Sequence, residues 1–484
     1  MTNTLFAAVN RNSTVTENGM ATLMSSMDAV TDLFFKIGAS RGKFGSLKPT
    51  LSKAFADNLD MTIRVLLWSR DARQGAGERQ LFKDAIHFAF NTNSLTKEEG
   101  DRIVAKVPEL GRWDDMYAFF GTPSEDAAIA LFAGALRSGN GLAAKWSDRK
   151  GQNAVIMRKA MGLSPKAYRK LIVANTNVVE QLMCAKQWDA IDFGKLPSVA
   201  AARYQKAFWK NASNAYQQYV TSLQKGEAKI NAGAVYPYDI VKSARYGSSK
   251  VADEQWKALP DYMEGTENRG ILPIVDVSGS MNCSAGGDRN SKVTCLDVAV
   301  SLGLYLSERN RGIFKDQFVT FSQKPQFVKL SGQLSQRVAQ MERSPWEMNT
   351  NLEAVFDLLL TSAVNAKVSE DQMPDTLLIL SDMQFDAATR TYNYTGLGRR
   401  MSQTDNPTSF EMIEQKYNQA GYKLPKIVYW NINSKNGVPV EFNKEGAALV
   451  SGFSPAIMKS VLRAEHFTPS EVMKSAVLIP RYDW

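Results

Sequence analysis

The chain has 484 residues, 44% of them hydrophobic and 22% charged, a composition that suits a folded protein of two or three domains. Two histidines, His87 and His466, and three cysteines, Cys184, Cys283 and Cys295, leave little from which to build a histidine zinc site, a Ser-His-Asp triad or a disulfide framework. The net charge of +9 is concentrated: residues 145–250 carry 18 basic and 6 acidic side chains, a net +12 that should attract polyanions.

No stretch approaches the roughly 18 uncharged apolar residues of a membrane span, and MTNTLFAAVNRNSTVTENG lacks the basic-then-apolar layout of a signal peptide. The expected location is therefore the cytoplasm, where unpaired cysteines stay reduced.

Residues 1–265 show helical spacing. In DNLDMTIRVLLWSRDA, ERQLFKDAIHFAFN and NVVEQLMCAKQWDAI apolar positions recur every three or four residues. Pro49, Pro108, Pro123, Pro165, Pro197, Pro237 and Pro260 punctuate the run at intervals suited to helix pairs. The expectation is an α-helical repeat module, HEAT-like, stacked into a ring or solenoid. R-Q-G-A-G-E-R (73–79) has no strand before it and an incomplete phosphate-loop pattern, so it reads as a turn between helices.

From residue 266 to 484 the pattern changes to α/β. ILPIVDV, QFVTFS, QFVKL, DTLLILSD, KIVYWNIN and AALVSGF alternate with helical stretches such as VTCLDVAVSLGLYLSER and LEAVFDLLLTSAV. Strands alternating with helices of ten to fifteen residues predict a doubly wound parallel sheet with its ligand site at the carboxyl ends of the strands. Asp276 and Asp382 stand at two such ends.

The strand PIV runs into D-V-S-G-S, which sets Asp276, Ser278 and Ser280 on one turn, all hard oxygen donors. Mg²⁺ favours such ligands and keeps waters of its own. Asp382 adds a second carboxylate from a neighbouring strand end, and Thr350 in M-N-T-N adds a hydroxyl, with Asn349 and Asn351 beside it as substitutes. The simpler reading makes Asp276 and the serines a helix cap. A third carboxylate, from an acidic partner, could complete the ion's shell.

This D-x-S-x-S strand end, with a threonine loop and a second aspartate, resembles the metal-ion-dependent adhesion site of von Willebrand factor A domains. The segments RDARQGAGERQLF, ELGRWDDMYAFF, KWSDRKG and VVEQLMCAKQWDAIDFGKLPSVAAARYQKAF resemble the helical module of Ro-like proteins, the family of the Ro autoantigen, and are most similar to an uncharacterised branch found in phage as well as cellular genomes. That resemblance implies a helical ring holding single-stranded or structured small RNA, joined to an A domain. Its location would be the cytoplasm, or the host cytoplasm or virion if phage-encoded.

In the basic stretch, phosphate contact would fall to Lys145, Arg149, Lys150, Arg158, Lys159, Arg169, Lys170, Arg203, Lys206 and Lys210, with Trp146, Tyr168, Tyr204 and Trp209 near enough to stack bases. The alternative is a solvated helix surface over an aromatic core, and Trp113 and Trp188 are expected to pack. With no nucleophile, base or nucleotide loop in view, the expected function is non-enzymatic: RNA binding, with Mg²⁺ recruiting an acidic protein partner. A protein–protein assembly scaffold or virion component is the rival reading.

Overall fold

The computed structural model describes residues 12–245, 250–266, 269–288, 291–321, 324–344, 351–385, 409–433, 435 and 437–484. The chain divides into two compact units, and the division departs from a single break near residue 265. The described residues up to Lys43 group with Asp261–Ala476, while Val477–Trp484 groups with Phe44–Pro260.

The sheet unit holds six strands, β3 (Ile271–Asp276), β4 (Gln317–Phe321), β5 (Phe327–Lys329), β6 (Thr376–Ser381), β7 (Lys426–Asn431) and β8 (Ala447–Ser451), in the order β5-β4-β3-β6-β7-β8. All six lie within the apolar runs read from the sequence. The sheet is mixed: β5 runs antiparallel to β4, and the other neighbours are parallel. The central strands β3 and β6 are buried at every residue, as continuous apolar runs covered on both faces require. Register pairs Val275 with both Thr320 and Leu380, so Asp276 and Ser381 end adjacent strands at one edge.

An antiparallel hairpin, β1 (Ser13–Val15) with β2 (Ala21–Leu23), and helix α1 (Ala29–Ile37) also belong to this unit. Asp28 caps α1 by accepting from the Thr31 N–H at 2.6 Å. Phe35 of α1 is fully buried in the core formed by β3, β6, β7 and β8. The Phe34 carbonyl accepts from Ser451 Oγ (2.7 Å) and that of Phe35 from Asn431 Nδ2 (3.1 Å). Gly38 lies so close to β8 that a Cβ there would stand 2.4 Å from the Ser451 carbonyl oxygen. Helix α2 (Cys295–Arg309) follows β3 behind a Thr294–Asp297 capping box. Helix α3 (Leu352–Ala366) starts at Asn351, whose Oδ1 accepts from the Ala354 N–H at 3.0 Å.

In the other unit the described elements of Phe44–Pro260 are all helical, as expected, including Leu59–Arg70, Gln80–Asn91 and Lys97–Leu110. The last opens on a Thr96–Glu99 capping box. Two of the prolines read as punctuation lie inside helices instead, Pro49 in Phe44–Asp57 and Pro108 in the final turn of Lys97–Leu110. The expected helix over NVVEQLMCAKQWDAI shortens to Val179–Cys184. Lys186 takes a left-handed φ of 58° and the Gln187 N–H bonds back to the Leu182 carbonyl at 2.9 Å, the signature of a left-handed helix stop. The R-Q-G-A-G-E-R segment is the expected turn. Gly75 is needed there because a Cβ would stand 1.9 Å from the Trp68 carbonyl oxygen.

Candidate functional site

Beyond Asp276 the chain turns sharply. The Ser278 N–H folds back to donate to Asp276 Oδ1 at 2.9 Å, which aims both serine hydroxyls at the same side of the strand end. Ser278 Oγ and Ser280 Oγ lie 3.0 Å apart. That is a hydrogen-bond distance, and it also equals the separation of about 3.0 Å between cis ligands on an octahedral ion with bonds of about 2.1 Å. The helix-cap reading fits less well: Ser278 precedes the short turn Gly279–Asn282 without a side-chain capping bond.

Asp276 and Asp382 are both fully buried. Asp382 Oδ1 accepts from the Gln384 N–H at 3.3 Å, while Oδ2 makes no hydrogen bond among the described residues. Lys435 Nζ lies 3.5 Å from that oxygen, an ion pair longer than a hydrogen bond. Lys435 thus offsets part of the charge of this buried carboxylate without a hydrogen bond at that oxygen. Burial and the nearby charge of Asp382 push the Asp276 carboxyl up to about 7. Burial also raises Asp382, against the pull of Lys435. A divalent ion would oppose both shifts, because its charge favours the ionised carboxylates.

Four of the five expected ligands, Asp276, Ser278, Ser280 and Asp382, are thus placed on the ends of β3 and β6. Thr350 and Asn349 lie outside the described residues. The Asn351 side chain is engaged as the α3 cap, its Oδ1 accepting from the Ala354 N–H. No group of three or more His, Cys, Asp or Glu side chains suited to a metal occurs among the described residues, so a cation here would depend on two carboxylates and hydroxyls.

The sequence reading missed a surrounding shell. Ser381, the last residue of β6, donates its hydroxyl to Asp276 Oδ2 at 2.6 Å. Lys435 also reaches Glu17 Oε2 at 2.6 Å, and the Glu17 N–H donates to Gln384 Oε1 at 2.7 Å, so the β1–β2 turn rests on the segment after β6. Lys43 donates to Asn433 Oδ1 at 2.8 Å, and Asn433 Nδ2 reaches Cys283 Sγ at 3.2 Å. Burial first, then Lys435, lowers the Lys43 ammonium. A hydrogen bond from Cys295 is the main reason the Cys283 thiol falls to about 7, while Cys295 itself is raised. Only Ser381 had a local signal, as the residue beside a strand-end aspartate.

In the helical unit Arg149, Lys150, Lys159, Arg169, Lys170, Arg203, Lys206 and Lys210 are exposed, and Lys145 and Arg158 are half-buried. Lys145 is also drawn 3.6 Å from Glu180. The aromatic partners fare unevenly. Trp209 is 41% exposed, but Tyr168 is buried and cannot stack on a base. Trp146 lies beneath the Arg112 guanidinium at 3.6 Å, and Tyr204 donates its hydroxyl to Glu180 at 3.0 Å. Trp113 packs on Phe132 at 5.5 Å and Trp188 against the cluster around Phe193 and Phe208, as expected.

Comparison with known proteins gives a family for this architecture. Residues 271–477 match a domain of unknown function, DUF7788, and residues 16–96 and 138–267 match another, DUF2828. The uncharacterized protein L728 of Acanthamoeba polyphaga mimivirus is 31% identical over 526 residues, covering 96% of this chain and 86% of that protein. The chain belongs to the family of that mimivirus protein. The matching family models correct the resemblance to Ro-like proteins and von Willebrand factor A domains, since they are those of neither group. The resemblance rested on a D-x-S-x-S strand end with a threonine loop and a second aspartate, and on four short helical segments, and short motifs of this kind can stand on chains of different families. Among the described residues no helix is long and apolar enough to cross a membrane.

Proposed function

We propose that this is a non-enzymatic binding protein whose sheet unit holds a divalent cation, preferably Mg²⁺, on Asp276, Ser278, Ser280 and Asp382, and uses it to recruit an acidic group of a protein partner. The observation that carries this reading is the convergence of two hydroxyls, hydrogen-bonded at 3.0 Å, with a buried Asp382 Oδ2 that makes no hydrogen bond among the described residues and meets Lys435 Nζ at 3.5 Å. When bound, the cation would supply charge neutralisation for the two carboxylates and open positions for an outside oxygen ligand. Two carboxylates leave it near neutral with coordination positions open, and an acidic group of the partner would fill one of them.

The helical unit, on this proposal, is a HEAT-like stack that holds single-stranded or structured RNA through its exposed basic side chains, Arg169 and Lys170 among them. The +12 balance of residues 145–250 supports this. A second reading, an assembly scaffold or virion component, draws support from the mimivirus relative, a virus-encoded protein.

Calorimetric titration of the full chain with Mg²⁺ tests the first part. The wild-type protein should bind one ion and Asp382→Asn should lose at least tenfold in affinity. Equal binding by both would remove the site. Absorbance at 260 nm after nuclease-free purification tests the second part, and protein free of nucleic acid would favour the scaffold.

A further inference from the structure

Cys283 and Cys295 face one another across the ends of the segment that joins the Gly279–Asn282 turn to α2. Their Sγ atoms are 3.5 Å apart. The backbone holds them there: the Cys295 N–H donates to the Cys283 carbonyl at 2.9 Å, Ser284 bridges Thr294 in antiparallel fashion, and the Ala285 N–H donates to the Val293 carbonyl at 2.9 Å. Residues opposed in this way lie within reach of a disulfide, so side-chain rotation is enough to close the remaining gap.

The two sulfurs are not equivalent. Cys295 is buried at the start of α2, and Cys283 is half-buried. Asn433, itself 2% exposed, donates from Nδ2 to Cys283 Sγ at 3.2 Å while its Oδ1 accepts from Lys43 Nζ at 2.8 Å. The amide is thereby oriented with its donor on sulfur, and an ammonium stands behind it. Cys184, by contrast, is exposed.

We propose that Cys283 and Cys295 form a redox-active dithiol, with Cys283 the sulfur attacked by a peroxide and Cys295 the sulfur that resolves it. The Cys283 thiolate attacks one oxygen of hydrogen peroxide, the O–O bond breaks, and the departing hydroxide takes a proton to become water, leaving a sulfenic acid. Cys295 sulfur then attacks Cys283 sulfur; the S–O bond breaks, the S–S bond forms, and the hydroxyl leaves with the Cys295 proton as a second water. Two thiols lose two electrons and one peroxide gains them. Asn433 and Lys43 support the sulfur that carries negative charge in the first step.

The test uses the full-length Cys184→Ser protein, in which only these two thiols remain. After hydrogen peroxide and alkylation by N-ethylmaleimide, the protein should take up no alkyl group, have lost two hydrogens in mass, and yield a Cys283–Cys295 linked peptide that dithiothreitol separates. In a Cys295→Ser version, dimedone should label Cys283. The proposal fails if both thiols still alkylate after peroxide, or if Cys283 is oxygenated while Cys295 stays free. It also fails if Asn433→Ala reacts with peroxide as fast as its parent, since the amide would then not act on Cys283.

Discussion

Asp382 Oδ2 and Lys435 Nζ stand 3.5 Å apart, an ion pair to a carboxylate oxygen that makes no hydrogen bond among the described residues. Lys435 therefore neutralises charge where the proposed Mg²⁺ would do so, and the two cations compete. Replacing Lys435 by Gln should tighten Mg²⁺ binding by about fivefold, or ~1 kcal/mol, the scale of a partly screened ion pair. Calorimetry on Lys435→Gln checks the sign. A weakened affinity would mean that the lysine helps to build the site.

The carboxyl of Asp276 is held up to about 7, first by burial and then by the charge of Asp382, with Ser381 and Ser278 bonding against the shift. A cation needs the ionised form, so Mg²⁺ affinity should fall as pH drops below about 7, by up to tenfold per unit, and level off above it. The metal-free protein should behave in the opposite sense. Because the folded value lies above the unfolded value of about 4, this group contributes stability fully present below about pH 4 and lost as pH rises to about 7. Thermal melts across that range, with and without Mg²⁺, would show the difference closing when the ion is added.

The sheet was legible because β3, β4, β6, β7 and β8 are apolar runs with abrupt polar ends, and because an aspartate at such an end has few structural uses. What the sequence hid is distance along the chain. Lys43 and Asn433 meet across 390 positions, and Glu17 and Lys435 across 418, so no local pattern could announce either pair. The β1–β2 hairpin was missed because strands of three residues are too short to carry a periodic signal. Tyr168 was misassigned for a different reason. A tyrosine followed by Arg169 and Lys170 looks exposed by its neighbours, yet helical periodicity turns it to the opposite face, where it is buried.

Within the helical unit Arg70 and Asp115 form a buried ion pair, with Nη2 to Oδ2 at 2.6 Å and side chains 4% and 0% exposed. Lys83 approaches the same aspartate at 3.6 Å. Removing the acid leaves an uncompensated buried guanidinium, so Asp115→Ala should cost about 3–5 kcal/mol. The double replacement Arg70→Met with Asp115→Leu should recover most of that loss. Urea titrations followed by tryptophan fluorescence measure both, and a double variant no more stable than Asp115→Ala would show that the pair's worth lies in its geometry.

If the exposed basic side chains of residues 145–250 follow an RNA backbone, counterion release must dominate the binding. The logarithm of affinity should then fall with the logarithm of salt, with a slope of about −0.7 for each phosphate contacted on a single strand. Five contacts would give a slope of roughly −3.5. Arg169 and Lys170 are both exposed on the helix Pro165–Asn175, so replacing both by Ala should flatten the slope by about one unit without disturbing the core. The loss should be equal for unrelated sequences, because phosphate contacts position a strand without reading its bases. Asp276→Ala should leave this binding unchanged, since its carboxylate belongs to the sheet unit. Fluorescence polarisation with labelled single-stranded RNA, from about 50 mM salt upward, measures all of these slopes. A wild-type protein that retains no RNA at the lowest salt, where electrostatic binding is strongest, would leave the basic residues as a solvated helix surface and the assembly scaffold as the function to pursue.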